Sequence, residues 1–207
     1  MLVAHGERLR NCIVIIDAPP VADKAGLLSV RQGADSSYVA LYAPRITIHN
    51  GAQLLALPPS GAVAGVIARV DRERGIHKAP ANEVIRSITG FERDIGRNEQ
   101  SELNPQGVNV LKTLQGRGHR IWGARTLSFD AQWKYLNVRR YAIYLGRSIN
   151  KGLHWVVFEP NAEPLWHSVR AALNTFLVNE WRSGALRGEK PGDACQADPQ
   201  DHDPGGY

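Results

Sequence analysis

Cys12-Ile13-Val14-Ile15-Ile16-Asp17-Ala18-Pro19-Pro20 is the stretch from which the rest of the chain can be read. Four consecutive β-branched side chains lose little freedom in an extended backbone and pack on both faces of it. The prolines that follow cannot donate to a ladder, so Cys12–Asp17 reads as a buried strand with a defined end. Working outward, Leu2–Arg10 reads as the tail of a helix and Ala22–Gln32 as another. Tyr38–Tyr42 and Ile46–Ile48 read as extended pieces, with Pro44 between them demoting the second to an edge or a bend. Pro58-Pro59-Ser60 is a turn in which Ser60 is expected to cap a helix. That helix carries Val63, Val66, Ile67 and Val70 on one face and ends at Gly75.

Val84–Ile88, Val108–Leu111 and His119–Trp122 are further strand candidates, with the stretch between the first two read as irregular. From Asn137, taken as a cap, Val138, Tyr141, Ala142, Leu145, Ile149 and Leu153 recur at helical spacing. Trp155–Phe158 reads as a buried strand. After Pro164 a long helix is expected to turn Leu165, Val169, Leu173, Phe176, Leu177 and Trp181 inward as core. Helices interleaved with short apolar strands predict an α/β (α+β) fold, a mixed β-sheet flanked by helices in one layered domain over 1–187. Residues 188–207, rich in Asp, Pro and Gly, lack the apolar surface to offset their own ordering entropy and are expected to be a disordered acidic tail.

The net charge of +5 hides an asymmetry. Residues 1–187 hold 24 Lys and Arg against 15 Asp and Glu, and residues 188–207 hold 1 against 5. The basic surplus suits an acidic partner surface, nucleic acid or protein. The basic residues are dispersed instead of forming a run, so nucleic-acid binding is only the lesser alternative. Every apolar run is broken well short of a membrane span, so no membrane insertion is expected. The N-terminus, with His5, Glu7, Arg8 and Arg10, lacks a secretory pattern, which predicts a cytoplasmic product.

Known chemistries leave little trace. The seven histidines, His5, His49, His77, His119, His154, His167 and His202, never fall at i, i+4, and Cys12 and Cys195 are isolated, so no metal site is expected. Gly116-Arg117-Gly118 lacks the third glycine and the lysine of a phosphate loop and reads as a turn. Pro59-Ser60-Gly61 lacks the first glycine of a hydrolase elbow. Asp71-Arg72-Glu73-Arg74 reads as a solvated helix end and not as a pair of catalytic carboxylates. No catalytic residue, cofactor or enzyme activity is expected.

Several strings, taken together, resemble the C-terminal region of contractile-tail sheath proteins of phages and phage-tail-like injection systems. They are Pro58-Pro59-Ser60-Gly61 with Val63-Ala64-Gly65-Val66, then Asp71 to Glu83, Leu103-Asn104-Pro105 and Gly116-Arg117-Gly118. Trp122 to Leu127, Tyr135 to Arg140 and Trp155 to Asn161 complete the series. The match runs from about Ile13 to Leu186. The resemblance implies a structural subunit, with no cofactor, that polymerises with other copies around an inner tail tube protein and contracts to drive the tube through a membrane. It also implies subunits joined by strand addition between neighbours.

On that resemblance, Asp71, Arg72, Glu73, Arg74, Gly75, His77, Lys78, Pro80, Asn82 and Glu83, with Gly116, Arg117, Gly118, Trp122, Gly123, Arg125 and Thr126, are signature residues and candidate interface positions. Sheath proteins carry an N-terminal arm and outer domains upstream and apolar strands downstream. This chain begins almost at the first strand and continues past Leu186 into Cys195–Tyr207, so the expectation is a span cut at both ends. Such a span is either an assembling subunit or an assembly-defective remnant.

Overall fold

The β-branched run does form a strand, but its position explains more than its existence. The structure, a computed structural model, describes residues 2–190 and Gly192. Backbone contacts divide the chain into two units, one reaching to Ile143 and one beginning at Tyr144. In the first, α1 (Leu2–Leu9) leads into β1 (Val14–Asp17), α2 (Lys24–Gln32), β2 (Val39–Ala43), β3 (Ile46–Asn50), β4 (Gln53–Leu57) and α3 (Ser60–Arg74). There follow β5 (Glu83–Val84), β6 (Gly90–Phe91), α4 (Arg97–Leu103), β7 (Val108–Leu114), β8 (Gly118–Ile121) and the start of α5 (Leu136–Gly152).

One five-stranded sheet has the order β1-β2-β7-β8-β5, and a smaller one the order β4-β3-β6. Strand β1 pairs parallel with β2, and β2 parallel with β7, while β7 and β8 form an antiparallel hairpin. Strand β1 is thus an edge strand, and its four residues are all half-buried instead of fully buried as expected. The fully buried strand is β2, whose five residues are Val-Ala-Leu-Tyr-Ala. Its two faces feed two apolar clusters, as the period of two requires. Ala40 and Tyr42 pack with Val63, Val66, Ile67 and Val70 of α3, whereas Val39 and Leu41 pack with Leu27 of α2 and Leu103 of α4. Helices therefore cover both faces of a mixed sheet, the α/β architecture expected.

Other expectations are corrected. Ser60 does not cap α3. Its backbone N–H donates to Asp17 Oδ1 at 2.7 Å, so the carboxylate at the end of β1 satisfies the first orphan amide, with its negative charge at the positive end of the helix. Of the expected extended segment Val84–Ile88 only Val84 lies in a strand, the end of β5, and the backbone reaches φ +62° at Ser87 before β6. Of the edge or bend expected at Pro44, the bend is what forms: the chain leaves β2, crosses a cis Ala43–Pro44 bond and enters β3, the centre of the small sheet. Strand β4 and helix α4 were not foreseen.

In the second unit, the rest of α5 is followed by a 3-10 turn at His154–Phe158 and by α6 (Glu163–Arg182). The buried strand expected at Trp155–Phe158 does not form. Its backbone bonds are local, Val156 N–H to Leu153 O and Glu159 N–H to Val156 O, and Val157 and Phe158 are 62% and 96% exposed. The stripe of α6 does lie on the less exposed side of that helix, but none of its residues is fully buried. The tail expected to be disordered falls mostly on Pro191 and residues 193–207, outside the described residues.

Tyr42 supplies a test of the core. Its side chain is fully buried and its hydroxyl has no hydrogen-bond partner among the described residues. Burial pushes its ionisation up, with the charge of Arg140 working the other way. Tyr42→Phe removes an unpaired polar atom without altering shape, so in urea unfolding at neutral pH it should leave stability unchanged or raise it by about 1 kcal/mol. A raised folded pKa keeps the hydroxyl protonated while the unfolded chain ionises above about pH 10. Wild-type stability should therefore fall more steeply than that of Tyr42→Phe once the pH exceeds that value.

Candidate functional site

The two signature segments lie on different elements, yet both reach the start of α5. Asp71, in the last turn of α3, accepts a two-pronged ion pair from Arg140, one nitrogen at 2.9 Å from Oδ1 and the other on Oδ2. Four residues on, Gly75 closes α3 at φ +90°, a backbone that strains any L side chain. The His77 ring fills the space in which a Cβ would stand, at 2.9 Å. The His77 carbonyl accepts from Asn137 Nδ2 at 3.0 Å. Asn137 is thus not the cap expected but a residue inside α5 that ties the helix to the loop after α3.

The second segment works from the other side. Asn109, the second residue of β7 and fully buried, donates from Nδ2 to the carbonyls of Leu41 at 3.1 Å and Arg125 at 2.8 Å. Its Oδ1 accepts from the Arg125 backbone N–H at 2.6 Å. Gly123 lies directly against it, and a Cβ there would stand 2.9 Å from Asn109 Oδ1 and 3.0 Å from its Cα. Thr126 Oγ1 donates to the Trp133 carbonyl at 2.7 Å, its N–H donates to Lys134 O, and Leu136 N–H donates to Ala124 O. The next turn adds aromatic packing. The Arg139 guanidinium lies 3.4 Å from the Trp133 ring centroid and 4.5 Å from that of Tyr38, an arrangement in which the cation meets the negative ring faces.

The remaining signature residues divide between inward ties and exposed positions. Pro80 is buried, Glu83 pairs with Arg69 at 3.5 Å, and Lys78 Nζ donates to Ala79 O. Asn82 adopts φ +57° and receives Arg120 on its carbonyl and its Oδ1. Gly116 and Arg117 lie in the exposed turn between β7 and β8, as read, and the exposed Gly118 opens β8 opposite Leu114. Lys112 lies 5.3 Å over the Trp122 ring, and Arg125 5.9 Å over that of Tyr135. Arg72, Glu73 and Arg74 are exposed. Of two residues that matter here, Arg139 was read only as part of the Tyr135–Arg140 string and Asn109 was not singled out. An asparagine inside the apolar run Val108-Asn109-Val110-Leu111 was the available signal, since a polar side chain on a buried strand must find partners. Among the described residues no three His, Cys, Asp or Glu side chains group as a metal site, and no helix is long and apolar enough to cross a membrane.

Comparison with known proteins adds the context. Residues 2–127 match the phage tail sheath protein central domain family and residues 128–201 the phage tail sheath C-terminal domain family. A putative prophage major tail sheath protein of Pseudomonas aeruginosa (strain UCBPP-PA14) is 28% identical over 188 residues, covering 87% of this chain and 48% of that protein. The helical sheath of the anti-feeding prophage (AFP) in its contracted state superposes with a TM-score of 0.80 at 35% identity, over 91% of this chain and 51% of that one. The PVC sheath complex of an extracellular contractile injection system, also contracted, gives 0.79 at 32% identity, over 86% and 51%. The chain spans about half the length of the relatives it matches.

Two measurements check the geometry. Asn109→Ala leaves Leu41 O, Arg125 O and Arg125 N–H without their partner and should cost about 2–4 kcal/mol in denaturant unfolding. A double-mutant cycle on Asp71→Ala and Arg140→Ala should give a coupling of roughly 1–3 kcal/mol, as for a shielded two-pronged pair, whereas additive losses would mean that the ion pair does not hold α5.

Proposed function

Starting from a chain that belongs to the phage tail sheath family, we propose that it is a structural subunit of a contractile sheath. Its copies polymerise around an inner tube, and the collective shift to a shorter, wider lattice drives that tube through a membrane. The particle is assembled in the cytoplasm of the producing cell and serves as a virion tail or tail-like injection device. The observation that carries this reading is the superposition on a contracted helical sheath at 35% identity over 91% of the chain.

The fold supports the mode of connection. Val14 N–H donates to Tyr38 O and Ala18 N–H to Tyr42 O, so the even-numbered amides of β1 face β2. By the period of two, the amides of Ile15 and Asp17 face the opposite edge, which has no strand partner among the described residues. An extended segment of a neighbouring subunit can add there by main-chain hydrogen bonding. The exposed Arg72, Arg74 and Arg117, within a basic 1–187, suit an acidic surface on the tube or on a neighbour. The inward-tied signature residues then hold α5 in place and the exposed ones meet partners.

Negative-stain microscopy of the chain mixed with a full-length homologous sheath protein and its tube tests this. Incorporation into tubular polymers is the expected outcome. Its attachment should weaken as salt rises from about 0.1 M to about 1 M, where the screening length falls from about 10 Å to about 3 Å. If the homologue polymerises while this chain stays outside every polymer, the subunit reading fails and the chain is an assembly-defective remnant.

A further inference from the structure

The second unit carries an apolar groove and, beside it in sequence, an apolar projection that none of the unit's described residues covers. The groove, about 580 Å³, is floored by Leu165, Val169, Leu173 and Leu177 of α6. Its Trp166 wall is fixed by an indole N–H donated to Asn161 Oδ1 at 2.8 Å, so the cleft is shaped in advance. That volume is within the range that takes a sizeable apolar group. The projection is Val157-Phe158, 62% and 96% exposed, at the end of the 3-10 turn. A phenylalanine almost wholly in water at the end of an ordered turn gives up all the stabilisation its burial could provide.

We propose that the groove receives Val157-Phe158 of a second copy of this chain. Charge complementarity supports this occupant: Arg170 lines the groove, and Glu159 follows Phe158 directly and is exposed. When the ring of one copy enters the groove of the next, the Glu159 carboxylate arrives with it and meets the Arg170 guanidinium at the rim. The surface involved is small. An aromatic side chain carries about 150–250 Å², against the roughly 800 Å² per partner of a standard stable interface, so the contact is weak in solution and gains strength through repetition in a polymer. The inference rests on the reading that copies of this chain associate, and it names the surface by which they do so.

Sedimentation velocity of the full chain between about 10 μM and about 1 mM, the range of weak association, reads the contact directly. Wild type should move from monomer to larger species as concentration rises. Phe158→Asp should weaken that association by roughly 30-fold or more, the loss expected of a central aromatic anchor. Phe158, Glu159 and Arg170 are all exposed, so far-UV circular dichroism should not change in any of the variants. Arg170→Glu and Glu159→Arg should each weaken association, and the two together should restore it. Association indifferent to Phe158→Asp, or a charge swap with no restoration, overturns the proposal. So does a wild type that stays monomeric throughout; if the thiol of a Leu173→Cys variant is then also shielded from maleimide, the groove belongs to a segment of its own chain. Co-assembly with sheath and tube separates this idea from the one on which it rests. Normal polymers together with undiminished self-association of Phe158→Asp remove the groove contact and leave the sheath reading intact. Failure of wild type to enter polymers removes the sheath reading, whatever the solution association.

Discussion

One buried carboxamide governs where the first unit places its parts. Asn109 is inside β7, the strand next to the fully buried β2, and its three hydrogen bonds run to a carbonyl of β2 and to both backbone groups of Arg125. In a weakly polar interior each of these groups would be expensive to leave unpaired, so the loop after β8 has one low-energy position. From that position Ala124 and Thr126 hold the residues from Trp133 to Leu136, and α5 begins where they leave it. The ties of Arg140 to Asp71 and of Asn137 to His77 then fix the first turns of the helix from the side of α3. Gly123 is required because the amide occupies the space of its Cβ, not because the chain needs a turn there.

What could be read in advance follows from which forces are local. The apolar face of α3, its end at Gly75, the strand candidates on either side of the Gly116–Gly118 turn and the stripe on α6 are short-range patterns, and all four are present. Helix α4 has the polar sequence Arg-Asn-Glu-Gln-Ser-Glu-Leu with only Leu103 buried, so it has no periodicity to detect. Strand β4, Gln-Leu-Leu-Ala-Leu, has no β-branched residue and is extended because β3 pairs with it along its full length after Asn50-Gly51. Trp155–Phe158 shows the converse: an apolar run becomes a strand only if a neighbouring strand accepts its backbone, and here its hydrogen bonds close locally. The degree of burial was the least legible property, because it depends on position in the sheet. Three β-branched residues on an edge remain half-buried, while Val-Ala-Leu-Tyr-Ala at β2 is sealed.

The signature residues were recognisable as strings, but their roles were not, since each role is a pairing across long separations in sequence. Asp71 finds Arg140, His77 finds Asn137, and Asn109 finds Arg125. The structure also separates residues that the strings present as equals. Asp71 and Thr126 are tied inward, whereas Arg72, Glu73, Arg74 and Arg117 are exposed.

That separation matters for a protein whose proposed work is assembly. Inward ties lock a shape, and a lattice that rearranges collectively needs subunits that keep their own shape while their contacts change. The contacts themselves can be weak, because each copy repeats them and a subunit held at several points cannot leave until all are released together. An edge strand, a set of exposed arginines and an apolar projection are each too small for a stable pairwise complex. Repeated in every copy, they are the kind of surface that favours a polymer over a dimer: strong together, and able to yield in concert.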